Sequence, residues 1–282
     1  MRLVSFEAEG GAGFGLVEGD AVADLTGAFA GRAAGLRGLL AAGLLKEARH
    51  AAASAPRRPL AGLRLLPVIP DPDKIICVGL NYRDHVAETG RTETPEPALF
   101  ARFAGSQVGH GQPLVRPRVS ERFDYEGELA VVIGTAGRHV VEGDALAHVA
   151  GYACYNEGSV RDWQMHTTQF LAGKTFAGTG AFGPWLVTSD EIPDPSTLTL
   201  ETRLNGQVVQ RTTTDLMITG VPRLIAYIST ILPLLPGDVI VSGTPGGVGA
   251  KRNPPLWMKP GDVAEVEISG IGVLRNPVVQ EA

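Results

Sequence analysis

The 282-residue sequence predicts an α+β, β-rich fold in which a small α/β head precedes a larger β-rich domain. Two observations carry that expectation. Thirty-six glycines and twenty prolines cluster between short β-type runs, as expected for strands joined by tight turns. Only two stretches stand out as helical in composition and apolar spacing.

In chain order, "RLVSFEAEGGAGFGLVEGDAVADL" predicts strands separated by glycine turns. "AGRAAGLRGLLAAGLLKEARHAAASA" follows with helical composition and leucine spacing. "PRRPLAGLRLLPVIPDPDK" reads as a strand plus a proline-rich linker, which puts a boundary near Asp71 and units at 1–70 and 71–282. Beyond it the strand candidates are "KIICVG", "LAVVIG", "VAGYACYN", "LTLETRLNG" and "DVIVSG", and "DVAEVEISGIGVLRNPV" closes the chain as a hairpin. "ITGVPRLIAYISTILPL" is the clearest helix of this part.

Composition narrows the function. The net charge of −5 comes from 25 basic and 30 acidic residues without long runs. No basic patch is interleaved with aromatics, which argues against nucleic acid as partner. The longest apolar stretches are too short to span a bilayer and are broken by proline. "MRLVSFEAEG" lacks a charged-then-apolar signal pattern and reads as a first strand. Cys77 and Cys154 lie in apolar strand-like settings, the pattern of buried free thiols in a cytoplasmic protein. No Cys/His ligand cluster of the zinc-finger kind is present.

"FDYEGELAVVIG" carries the chemistry. On a strand, Glu126 and Glu128 share one face with Ala130 and Val132, while Tyr125, Leu129, Val131 and Ile133 take the other. The plainer reading is an edge strand with solvated acids. The alternative is a divalent cation, since side-by-side carboxylates resist ionisation without a compensating charge. All-oxygen ligands suit magnesium, manganese or calcium. Glu157, at the end of an apolar strand in "GYACYNEGSVRDWQ", is the best third carboxylate, and Asp162 is placed to cap or to pair with Arg161. His85 and Glu88 in "GLNYRDHVAETG" would share a helical face, a histidine oriented by a carboxylate, on a loop suited to a lid. Lys174 sits in apolar, glycine-rich sequence without a neighbouring acid. In "VSGTPGGVG", Thr244 offers a hydroxyl and backbone N–H groups to an oxyanion, and the phosphate-loop ending is absent.

Taken in order, "GLNYRDH", "YEGELAVVIG", "RDWQ", "GKTF" with "FGPW", "LNGQVVQ" and "GDVIVSGTPGGVG" resemble the fumarylacetoacetate hydrolase family from about residue 70 onward. The resemblance implies a mixed β-roll preceded by a variable small domain, and a homodimer. It implies a magnesium or manganese ion held by Glu126, Glu128 and Glu157. His85 and Glu88 match the dyad that activates water, and Lys174 matches the lysine that binds or polarises substrate. Arg161, Gln164 and Thr244 match substrate-binding positions. The implied activity is hydrolysis of a C–C bond in an acylpyruvate, a small 2,4-dioxo acid. Oxaloacetate decarboxylation, isomerisation or hydration of a hydroxymuconate-type diacid, and a non-catalytic binding protein are the rivals. One departure stands out: Glu157 occupies a position where the family usually has aspartate, and Gly158 beside it would supply backbone freedom.

Overall fold

One eleven-stranded sheet runs through the computed structural model, which describes residues 1–8 and 11–282. Its first strands are β1 (Arg2–Ala8), β2 (Gly11–Glu18), β3 (Ala21–Asp24) and β4 (Arg57–Pro59). The first expected glycine turn, at Glu9 and Gly10, lies outside the described residues. Between β3 and β4 the leucine-rich stretch folds as two short helices, α1 (Leu36–Ala41) and α2 (Leu45–Ala51), parted where Gly43 takes a left-handed φ of 66°.

The chain continues through β5 (Ile75–Gly79), α3 (Arg83–Thr89), β6 (Ala98–Arg102), β7 (Gln107–Val108), β8 (Leu114–Arg116) and β9 (Phe123–Asp124). Next come β10 (Gly127–Ile133), β11 (Val149–Glu157), β12 (Ser159–Val160), α4 (Arg161–Gln164), α5 (Leu171–Lys174) and β13 (Gly180–Thr188). The last elements are β14 (Thr199–Leu204), β15 (Gln207–Thr213), α6 (Val221–Ile231), β16 (Val239–Val241), β17 (Val263–Ile268) and β18 (Gly272–Gln280).

The large sheet has the order β4-β3-β2-β1-β13-β11-β10-β16-β5-β6, with β7 beside β13. A second sheet runs β15-β14-β17-β18-β8, and β9 pairs with β12. Strand β13 joins the N-terminal strands to the rest, meeting β1 at Leu3↔Leu186 and β11 at Asn156↔Ala181. Its Gly180, Gly183 and Pro184 lower β propensity, so the sequence pattern hides a strand that neighbours on both sides secure.

β10 lies between β11 and β16 and all seven of its residues are buried, which excludes the edge-strand reading of the two acids. The alternation is as expected. Tyr125, Leu129, Val131 and Ile133 join one apolar cluster with Leu200, Val266 and Leu274 of the second sheet and Leu224, Ile225 and Ile228 of α6. Ala130 and Val132 face a second cluster containing Leu36, Leu39 and Leu40 of α1. Each buried leucine contributes about 1.5–3 kcal/mol. The two cores clamp β10, so the acids at its N-terminal end are held on a rigid frame. Both cysteines are buried and free. Among the described residues no helix is long and apolar enough to cross a membrane.

Candidate metal centre and active site

Register assembles the acids. Antiparallel pairing of Gly127 with Asn156 sets Glu126 opposite Glu157, and the Glu157 N–H donates to the Glu126 carbonyl at 2.8 Å. Glu128, two residues on, shares the face of Glu126. All three are 1–2% exposed, and one carboxylate oxygen from each lies within 4.8 Å of the others.

The cations come from α4 and α5. Lys174 Nζ donates to Glu126 Oε2 and, at 2.7 Å, to Glu157 Oε2. The sequence shows no acid beside Lys174; the fold supplies two. Arg161 donates from Nε to Asp124 Oδ2 at 2.8 Å, from Nη2 to Glu126 Oε1 at 2.7 Å and from Nη1 to Gln164 Oε1 at 3.0 Å. All three of its nitrogens thus meet the protein's own acceptors, with one N–H left on each Nη, while Gln164 takes part through its oxygen. Asp162, expected to cap or to pair with Arg161, makes no pair with it; its Oδ1 accepts from Ser120 Oγ at 2.6 Å and from the Trp163 N–H at 3.1 Å.

Electrostatics separate the carboxylates. Burial pushes the Glu126 carboxyl up, but Arg161 and Lys174 outweigh it and hold the group well below the usual carboxylate range. Burial, then the charges of Glu157 and Glu126, push Glu128 well above that range, against Lys174 and the Gly243 N–H that donates to its Oε2 at 2.5 Å. Lys174 is raised, since its two carboxylates outweigh the burial penalty.

The donor set fits a hard divalent cation. Were all four buried carboxyls (Asp124, Glu126, Glu128, Glu157) ionised against Arg161 and Lys174, they would leave an excess of two negative charges, which one divalent ion would offset; without it, burial and like charge push Glu128 toward its neutral form. Glu157 Oε1 is buried without a hydrogen-bond partner, an acceptor in want of a cation. The extra methylene of Glu157 leaves its carboxylate within the cluster while Oε2 meets Lys174. Gly158 serves by closeness, since a Cβ there would sit 2.1 Å from the Thr179 carbonyl oxygen; its φ is one that any residue adopts.

Opposite this floor, α3 presents the expected dyad. His85 Nδ1 lies 2.7 Å from Glu88 Oε1, and the Gly247 N–H donates to Glu88 Oε2 at 2.8 Å. The histidine bond and that N–H overcome burial and hold Glu88 below its ordinary pKa. Gly247 has φ 98°, a left-handed conformation that aims its N–H at the glutamate and that L side chains rarely adopt. Thr244 Oγ1 donates to the Gly127 carbonyl at 3.0 Å and accepts from Gln210 Nε2 at 2.8 Å, so its hydroxyl pins the glycine loop to β10.

A cavity of about 810 Å³ collects His85, Glu126, Glu128, Glu157, Arg161, Gln164, Lys174 and Thr244 in its lining. Glu88 is one shell behind His85. Sequence reasoning missed Asp124, which is fully buried and also accepts from the Gly249 and Ala250 N–H groups at 2.8 and 2.9 Å. Its signal was in "FDYEGE": two residues before Glu126, it continues the same acidic spacing. Ser159, donating to Glu126 Oε2 at 2.8 Å, carried no such signal.

Residues 74–279 match the family described as fumarylacetoacetate (FAA) hydrolase C-terminal. The chain belongs to the fumarylacetoacetate hydrolase family. Residues 1–67 match the Rv2993c-like N-terminal family. The chain is 44% identical over 238 residues to oxaloacetate tautomerase FAHD2A, mitochondrial, of Homo sapiens, covering 83% of this chain and 76% of that protein. Among solved structures, fumarylacetoacetate hydrolase from psychrophilic Exiguobacterium antarcticum is 37% identical with TM-score 0.88 over the whole of both chains. Maleylpyruvate hydrolase from Sphingobium sp. SYK-6, in complex with manganese(II) ion and pyruvate, is 31% identical with TM-score 0.83, again over both whole chains. Members of this family thus include a tautomerase and hydrolases acting on small oxo acids.

Proposed function

We propose that this member is a magnesium- or manganese-dependent hydrolase that cleaves the C–C bond of an acylpyruvate to pyruvate and a carboxylic acid. The observation that carries the reading is the buried Glu126–Glu128–Glu157 cluster with Lys174, sharing one cavity with His85, which Glu88 backs from behind. The three glutamates are the residues that would hold the ion. When bound, the ion supplies Lewis-acid polarisation of the substrate's oxygens. With Nδ1 committed to Glu88, His85 keeps Nε2 for a water in the cavity. Glu88, favoured in its ionised form, steadies the imidazolium that appears when His85 takes the water's proton. The hydroxide adds to the distal carbonyl, the C3–C4 bond breaks, and the carboxylic acid leaves with the added oxygen. Lys174 faces the enolate charge left on the pyruvate half, and protonation at C3 completes pyruvate.

A second reading is keto–enol tautomerisation of oxaloacetate, favoured by the 44% identity to a protein of that name. It needs proton transfer at carbon without a water nucleophile. One experiment ranks the two. The enol absorbance of a short acylpyruvate is followed with Mn2+ or Mg2+ and then with chelator, with oxaloacetate in parallel. Metal-dependent loss with stoichiometric pyruvate supports hydrolysis. Enol–keto exchange of oxaloacetate without pyruvate supports the tautomerase, and pyruvate from oxaloacetate makes the protein a decarboxylase. No metal-dependent change in either acid refutes both main readings.

A further inference from the structure

After β16 the chain runs through residues 243–250 as a strap with almost no secondary structure of its own. Acids elsewhere in the fold take its backbone donors. The Gly243 N–H goes to Glu128 Oε2 and the Gly247 N–H to Glu88 Oε2. The Gly249 and Ala250 N–H groups go to Asp124. Tyr125 adds its hydroxyl, which donates to the Gly247 carbonyl at 3.1 Å and accepts from Arg252 Nε at 2.9 Å. On one side, then, the strap is tied to the junction of β9 and β10.

On the other side it carries α3. A Cβ on Gly246 would sit 3.0 Å from Asp84 Oδ2, so strap backbone and helix are in close contact. Asn81, just before α3, donates from Nδ2 to the Ser242 carbonyl at 2.8 Å, and Glu88, near the helix end, accepts from Gly247. The helix that presents His85 is thus tied at both ends to one segment, and Asp124 and Tyr125 hold the far end of that segment.

Asp124 has the chemistry of a fixed anchor. Its Oδ1 accepts from the Tyr125 and Gly249 N–H groups at 2.9 and 2.8 Å, and its Oδ2 from the Ala250 N–H and Arg161 Nε at 2.9 and 2.8 Å. Each of these neighbours is a donor, which a carboxylate satisfies and an amide of the same size does not. Asp124 and Tyr125 are both fully buried, and neither is part of the cavity lining.

We propose that Asp124 and Tyr125 are positioning residues for the His85–Glu88 pair, which they set in place through the backbone of residues 243–250. The proposal rests on the reading of His85 as the base and adds what holds that base in place. Misplacing a reacting group by about 1 Å costs on the order of 10²-fold in rate, so a slack strap acts on turnover more than on binding.

The test compares wild type, Asp124→Asn and Tyr125→Phe as full chains. Asparagine keeps the size of Asp124 but turns its NH2 toward two donors in either orientation, which frees one end of the strap. Hydrogen exchange read by mass spectrometry should speed up in both variants in the peptides covering 243–250 and 83–89, while the 180–188 peptide of β13 keeps its wild-type rate. In Asp124→Asn the increase should be at least roughly tenfold, the size of one lost charge-assisted hydrogen bond. An α3 peptide that keeps its wild-type rate, or an equal rise in all three peptides, overturns the proposal. With Mn2+ and a short acylpyruvate, kcat should fall about 10–100-fold in Asp124→Asn, with KM and the Mn2+ Kd within about threefold of wild type. In a Glu88→Gln background the same change should cost less than about twofold, because its route to His85 is already cut. A full loss there overturns the proposal, by showing that Asp124 acts through Arg161 and the floor. If the wild type turns over no acylpyruvate, the hydrolase reading fails, and the exchange pattern alone decides the proposal. If Asp124→Asn does not fold, Tyr125→Phe decides it by the same three peptides.

Discussion

Replacing Lys174 with methionine tests the charge balance of the floor. Nζ bridges Glu126 and Glu157, and the side chain is 4% exposed against 3% and 2% for its partners. Methionine keeps most of the length and volume, so the change is largely the loss of one positive charge. Removing one member of a buried ion pair costs about 3–5 kcal/mol, because the other charge is left buried and uncompensated. Arg161 Nη2 still holds Glu126 Oε1 at 2.7 Å, which places the expected loss toward the lower end. At roughly 2–4 °C per kcal/mol for a chain of this size, Tm should fall by about 6–12 °C in chelator. Saturating Mn2+ should recover part of it, since a ligand at 100 times its Kd returns about 2.7 kcal/mol. The assay is calorimetric unfolding of wild type and variant, each with chelator and with Mn2+. A Tm within about 2 °C of wild type in chelator would refute the argument, by showing that the ammonium compensates nothing.

His85→Ala should lower acylpyruvate turnover by about 10²–10⁴-fold with Mn2+ affinity retained, and unimpaired turnover removes His85 as the base. Glu88 is held below its ordinary value, so its stabilisation is complete above that value and fades as pH falls through the lower folded one. The urea-midpoint gap between wild type and Glu88→Gln should therefore be full above the ordinary glutamate value and close as pH falls through the lower folded one; a gap that persists undiminished into strong acid contradicts the assignment. In Gly127→Ala the new Cβ would lie 2.0 Å from Thr202 Oγ1, an overpacking that should cost at least about 1–3 kcal/mol. Adding Thr202→Ala should return part of that loss in the same unfolding assay.

The β-rich class, the candidate strands at β5, β10, β11, β14, β16 and the β17–β18 hairpin, and helix α6 were all legible in the chain, because short apolar runs bounded by glycine and proline have few other ways to bury themselves. The same local pattern placed Glu126 and Glu128 on one face and marked Glu157, His85, Glu88 and Lys174 as the chemistry-bearing side chains. Strand β13 was not legible, since its glycines and proline argue against a strand until β1 and β11 flank it. Nor were the partners of the charged groups. Lys174 sits 17 residues from Glu157 and 48 from Glu126, and Asp124 reaches 125 residues along the chain to the Gly249 N–H. Side-chain type and parity are properties of a few consecutive residues, so the sequence alone determined which acids share a face and which groups can do chemistry. Burial, pairing and the lining of the cavity depend on residues far apart in the chain, and only the packing of two sheets around β10 decided them.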